Sequence, residues 1–330
     1  MEESNGRNML DFIERLEESE MISYGYFDRL QKSFFPLTHR SLEEDISLEG
    51  LAGRIGISLC YQDTENIAQL YLDAPRLLRI ITDSALGSNH PLEYAAIKGL
   101  ATEFCHEIFS FDFYGAKRTL DLIISDNLFK ENISNEIMEI SDDVTWNACD
   151  SYKIRSLESA LEKHYPDADT IAISGHGGYR GGFLLATQLG IKPYTARNSG
   201  HKHKDIAINI IDPEMAKERI NGKNVIAFDE DISSGTGLNR LIESIKSFEP
   251  KSIMGATLKF VCEIRGEFAI NSPAIFPITD KYLSNAVESQ LENKLPLLLR
   301  DIAIYSGSKK DGFKTKKKHC LINDHDYGDY

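Results

Sequence analysis

Apolar residues recur at helical spacing through the first 150 positions, and in short continuous runs after that. Met9, Leu10, Phe12, Ile13 and Leu16 fall three and four apart, which predicts a first helix with one apolar face. Further helices are predicted over 64–85, 92–110 (after Pro91) and 115–130. Phe34, Phe35 and Pro36 break the pattern and predict a loop. From about 151 the period changes. SYKIRSLESALEKHY predicts an amphipathic helix ended by Pro166, TIAIS a buried strand, GHGGYRGG a glycine-rich loop and FLLATQLG a helix. A strand around Pro193–Arg197, a polar loop with two His and two Lys, and the run IAINII come next. After Asn221-Gly222, a strand over Asn224–Phe228, a helix in LNRLIESIKSF and a strand in IMGATLKFV continue the alternation. Strands separated by helices call for right-handed crossovers and a mostly parallel sheet covered on both faces. The expected fold class is α/β, a Rossmann-like parallel sheet preceded by a mainly α-helical domain. The expected divisions are 1–150, 151–308 and a basic, flexible tail over 309–330.

A chain of 330 residues is long enough for about two domains with their own cores. With 42% hydrophobic and 27% charged residues it is an ordinary globular composition, not a rod or a disordered chain. The net charge of -14 is unevenly held. Residues 1–150 carry 28 acids against 12 bases, and residues 151–330 carry 23 against 25. An acidic half of this strength repels phosphate backbones, so nucleic acid is not expected to bind through residues 1–150. The near-neutral half can accept a small polyanion. No run approaches the ~18 apolar residues of a membrane span, and the acidic first twenty residues are unlike a secretory leader. The five cysteines show no ligand or disulfide spacing, which suits reduced thiols and an expected cytoplasmic location. Cys105-His106-Glu107 puts a thiol, an imidazole and a carboxylate side by side, but neighbours on a helix point about 100° apart, so packing is the expected role.

The chemistry concentrates in Val225–Leu238, VIAFDEDISSGTGL. An apolar strand delivers Asp229 and Glu230 to a sheet edge, and a loop of small and hydroxyl residues leads into a helix. Backbone amides, the hydroxyls of Ser233, Ser234 and Thr236, and the positive helix N-terminus suit a phosphate, with Gly235 and Gly237 allowing close approach. Carboxylates repel that phosphate but accept hydrogen bonds from sugar hydroxyls. The combination describes a ribose-5-phosphate site, distinct from GxxxxGK[ST] and GxGxxG loops.

This segment resembles the phosphoribosyl-pyrophosphate signature of type I phosphoribosyltransferases. The resemblance implies that Asp229 and Glu230 hold the ribose hydroxyls and that Ile232, Ser233, Ser234, Gly235, Thr236 and Gly237 wrap the 5′-phosphate. It also places SGHGGYRGG at the pyrophosphate loop, giving Gly175, His176, Gly177, Gly178 and Arg180 to the diphosphate. ARNSGHKHKD is similar to the family's Arg-bearing strand end and flexible loop, which points to Arg197 and to His201–Lys204. LLLRDIAIYS resembles its last core strand, so the likeness runs over roughly 155–305.

Three features depart from the family. Asp231 stands where an aliphatic residue is usual, adding a third acid that could bind substrate or metal. Ser233 stands where purine-salvage members carry an acid, which moves charge stabilisation to Lys202 and Lys204 as in orotate-type members. The helical extension is not part of the small salvage enzymes. The resemblance implies Mg2+, met by Asp229 and Glu230 through water or substrate, and transfer of ribose 5-phosphate to a nucleobase-like acceptor. Two other classes stay open: a non-catalytic regulator that binds phosphoribosyl pyrophosphate or a nucleotide, and an effector of a bacterial defence or toxin system. The helical half is expected to serve a homodimer or a protein partner.

Overall fold

The computed structural model describes residues 8–18, 46–88, 91–130, 137–138, 151–175, 178–197, 212–232, 236–260, 274–277, 302–305 and 320–322. Contacts divide the chain into two units, Met1–Asn147 with Ile211–Pro213, and Ala148–Ile210 with Glu214–Tyr330. The predicted loop at Phe34–Pro36 and the run IAINII lie outside the described residues.

The first unit is helical. It comprises α1 (Met9–Glu18), α2 (Leu48–Tyr61), α3 (Thr64–Gly87), a 3-10 turn (Pro91–Tyr94), α4 (Ala95–Phe109) and α5 (Phe113–Ser125). Two short strands, β1 (Ile46–Ser47) and β2 (Ile137–Met138), pair antiparallel. Three helices start on side-chain caps: Ser47, Asp63 and Asp112 accept from the amides of Gly50, Asn66 and Gly115 at 3.0, 2.9 and 2.9 Å. The pattern predicted a single helix over 92–110, whereas its first turn is 3-10 and the α-helix starts at Ala95. The helix predicted over 115–130 runs from Phe113 to Ser125, breaks at Asp126 and is helical again over 127–130. Sequence reading passed over α2, where Gly50, Gly53 and Gly56 weaken local propensity. Its buried Leu48, Leu51, Ile55 and Leu59 nevertheless keep the three-four spacing, and tertiary packing supplies what propensity lacks.

Charges inside this unit are matched locally. The fully buried Asp73 accepts from Arg54 Nε at 2.7 Å and Nη2 at 2.9 Å, from Gln69 at 2.7 Å and from Arg76 at 2.9 Å. Buried Lys98 donates to both carboxylate oxygens of Asp212 at 2.9 Å. Burial pulls the Lys98 ammonium below the ordinary lysine value, an effect that Asp212 opposes. The buried Cys105 thiol donates to the carbonyl of Ala74 at 3.1 Å, and burial raises its pKa well above the usual thiol value. That is a packed, protonated thiol, as the helical spacing implied.

The second unit is α/β. In chain order it contains α6 (Ser151–His164), β3 (Thr170–Ser174), α7 (Gly178–Gln188), β4 (Lys192–Ala196), α8 (Pro213–Ile220), β5 (Asn224–Ile232), α9 (Thr236–Lys246), β6 (Ser252–Phe260), β7 (Ala274–Pro277), β8 (Ile302–Tyr305) and β9 (Cys320–Ile322). Strands β3 to β9 form a sheet in the order β4-β3-β5-β6-β7-β8-β9. The pairs from β4 to β7 are parallel, and β7-β8 and β8-β9 are antiparallel. Every residue of β3 is buried, as the continuous run TIAIS predicted. At the amino ends of the strands, Asn224 knits the sheet together. Its amide donates to Asp169 at 2.8 Å, its side chain donates to the Asp167 carbonyl at 2.8 Å, and Ser252 donates to its Oδ1 at 2.8 Å.

Neither α8 nor β7 was predicted. Pro213 occupies the first position of α8, where its missing N–H costs nothing. β8 falls inside the predicted segment LLLRDIAIYS. Cys320–Ile322, expected in the flexible tail, instead forms β9 on the edge of β8. Among the described residues no helix is long and apolar enough to cross a membrane.

Candidate functional site: the crevice between β3 and β5

The chain leaves β3 to one side to form β4 and to the other to form β5 and β6. Right-handed crossovers in opposite directions put α7 and α9 on opposite faces, and the strand order reverses between β3 and β5. Ligands of open parallel sheets bind outside the carboxyl ends at that reversal. The segments that follow β3 and end β5 are the two that sequence chemistry singled out.

The β3 side is tightly built. The Gly175 amide donates to the carbonyl of Ala196 at 2.6 Å. A Cβ on Gly175 would lie 2.9 Å from that oxygen, 3.1 Å from Tyr179 Oη and 3.2 Å from Arg197 Cα, so only glycine fits where β3, β4 and α7 converge. The glycine-rich stretch is not the long loop that was expected. Helix α7 begins at Gly178, which places Arg180 in its first turn. Helix packing explains two of the later glycines. A Cβ on Gly181 would meet Leu258 at 2.6 Å and Phe228 at 3.0 Å, and one on Gly182 would meet Ile173 at 2.6 Å. Arg180 and Arg197 are buried, at 6% and 4% exposure.

The β5 side also differs from expectation. Asp229, Glu230, Asp231 and Ile232 belong to the strand rather than to a turn after it. β3 pairs with β5 only as far as Ile173 opposite Phe228, and β5 then runs on beside β6, with Asp229 opposite Thr257 and Asp231 opposite Lys259. The acids therefore stand on a strand tip that projects past β3. Glu230 is 5% exposed, whereas Asp229 is half-buried. Alternation puts Glu230 on the face that carries Phe228, under α7, and Asp229 on the other face. A Cβ on Gly178 would lie 3.8 Å from the Glu230 amide, so the start of α7 and the acidic tip are neighbours. Asp229 Oδ1 accepts from the Glu230 amide at 3.1 Å.

Thr236 and Gly237 are also helical, forming the first turn of α9 with Thr236 exposed. β3 ends at Ser174 and α7 begins at Gly178, and β5 ends at Ile232 and α9 begins at Thr236, so the positive ends of two helix dipoles lie at the crevice edge. Two arginines and two helix N-termini there favour an anion, and the carboxylates of the strand tip favour hydroxyl donors beside it. His176, Gly177, Lys202, Lys204, Ser233, Ser234 and Gly235 lie outside the described residues, as do the side chains of Asp231 and Ile232. Among the described residues no group of three or more His, Cys, Asp or Glu could hold a metal ion. Asp229 and Glu230 carry carboxylate oxygens, the ligand type that suits a hard divalent cation. Sequence reasoning missed Thr257, a buried hydroxyl that donates to the Glu230 carbonyl at 2.9 Å. Its one legible signal was a polar residue inside the apolar run IMGATLKFV.

No family model and no curated protein matches the chain. Solved structures that resemble part of it include a hypothetical protein from Neisseria gonorrhoeae with bound ppGpp, at 19% identity over 39% of this chain and 78% of that one, TM-score 0.30. Adenine phosphoribosyltransferase from Saccharomyces cerevisiae is another, at 21% identity over 34% of this chain and 69% of that one, TM-score 0.29. A hypoxanthine-guanine phosphoribosyltransferase from Bacillus anthracis shares 21% identity over 39% of this chain and 77% of that one, TM-score 0.28.

Proposed function

We propose that the α/β unit binds phosphoribosyl pyrophosphate in the β3/β5 crevice and transfers its ribose 5-phosphate to a nucleobase-like acceptor, releasing pyrophosphate. One observation carries this reading: the acidic tip of β5 stands beside the start of α7 at the reversal of strand order. Asp229 accepts hydrogen bonds from ribose hydroxyls, and Glu230 takes part from inside the crevice. The N-terminal turn of α9, with Thr236 and Gly237, meets the 5′-phosphate. Gly175 and the first turn of α7 meet the diphosphate, whose charge Arg180 and Arg197 offset.

In the transfer, the C1–oxygen bond breaks and its electron pair leaves with the diphosphate. An acceptor nitrogen forms the new bond to C1 and gives up its proton. Positive charge develops on the sugar and negative charge on the leaving group, and preorganised cations and helix ends stabilise the latter. Lys202 and Lys204 are proposed to add to that stabilisation. Mg2+ would neutralise diphosphate charge, and Asp229 and Glu230 are the residues that would meet it, through water or substrate. The helical unit is proposed to engage a protein partner or a second copy, and exposed Ile57, Tyr61, Tyr114 and Leu122 offer it apolar surface.

The test is pyrophosphate release from labelled phosphoribosyl pyrophosphate, with and without Mg2+, against a panel of bases. Release that depends on a base supports transfer. Binding without release selects a regulatory binder, and absence of binding overturns the reading.

A further inference from the structure

Beyond Phe228, β5 has lost β3 as a partner, and the four residues that carry the acids are held from the β6 side. Two side chains fix the backbone there. The amide of Glu230 donates to Asp229 Oδ1 at 3.1 Å, and the carbonyl of Glu230 accepts from Thr257 Oγ1 at 2.9 Å. The first bond fixes the peptide plane before the Glu230 Cα and the second fixes the plane after it. Together they set the direction of the Glu230 Cβ, and the first also orients the Asp229 carboxylate. Thr257 is fully buried and lies opposite Asp229 in register.

We infer that Thr257 is a positioning residue, whose hydroxyl holds the two carboxylates in the geometry that grips a sugar diol. This rests on the ribose-site reading of the crevice. Thr257 touches the backbone of the tip on the face opposite α7, away from the diphosphate side made by Gly175 and the first turn of that helix. Its loss therefore weakens recognition of the sugar and spares recognition of the diphosphate.

The experiment compares two probes, ribose 5-phosphate and inorganic pyrophosphate, by titration calorimetry on the full chain. Thr257→Val keeps the shape and removes the donor; Thr257→Ser keeps the donor. The expected result is affinity for ribose 5-phosphate about tenfold weaker in Thr257→Val and restored in Thr257→Ser, with pyrophosphate affinity unchanged in both. Thr257→Ala replaces the valine variant if circular dichroism shows that the latter does not fold. Equal losses for both probes would reduce Thr257 to a general packing residue, and undiminished ribose 5-phosphate binding would remove it from the site. A wild-type chain that binds pyrophosphate but not ribose 5-phosphate would instead overturn the sugar-site reading on which the inference stands.

Discussion

The two units bury charged residues in different places in the fold. In the helical unit Asp73 is ringed by Arg54, Gln69 and Arg76, and Lys98 takes both oxygens of Asp212, so buried charges close on one another. In the α/β unit Arg180, Arg197 and Glu230 come from three different elements and gather at the carboxyl end of the sheet. A closed ring of charges specifies a packing arrangement. A gathering at the edge where strand order reverses stands where open parallel sheets take their ligands. Burial alone does not separate structural from functional charge; where in the fold it occurs does.

The contrast can be broken most sharply at Asp73. Asp73→Ala leaves two arginines around an empty position, and the expected loss is about 3–5 kcal/mol in urea unfolding. A loss under ~1 kcal/mol would show that the ring contributes little to packing. Glycine-to-alanine changes sharpen the comparison further, because the same added methyl has opposite signs in the two units. At Gly182 it meets the Ile173 side chain at 2.6 Å, and about 1–3 kcal/mol of destabilisation is expected. At exposed Gly53 it meets nothing within 4 Å, so a gain of roughly 0.5–1 kcal/mol is expected from helix propensity. Matching signs in thermal unfolding would contradict the packing account.

The smallest effect concerns Glu107, whose carboxyl burial raises above the ordinary value of 4.5. The unfolded chain ionises first, so stability falls as pH rises through the raised folded value. Glu107→Gln should raise the urea midpoint at about pH 7 and leave it unchanged at about pH 3.5. An equal change at both pH values would assign the effect to something other than ionisation.

Much of this was legible in the order of residues. Period changes near residue 151 marked the passage from helical to α/β, and the run Asn224–Phe228 predicted the strand β5 that Asp229 and Glu230 extend. Three things were not legible, each for a physical reason. α2 forms despite three glycines because burial of its leucines outweighs propensity. The GGYRGG stretch reads as a loop by composition, yet Gly181 and Gly182 are required by the side chains of Phe228, Leu258 and Ile173, contacts that only the folded sheet creates. The acids extend the strand rather than cap it because β6 continues beside them. That extension also brings in Thr257, which no local pattern could connect to residues 27 positions away.

The central claim is that the tip of β5 holds a sugar beside an anion site. Titration of phosphoribosyl pyrophosphate with Mg2+ into the wild-type chain and the Asp229→Asn, Glu230→Gln double variant tests it directly. The account expects saturable binding by the wild type and a loss on the order of a hundredfold in the variant, the worth of two charge-assisted hydrogen bonds. Equal affinity in the two proteins would contradict it.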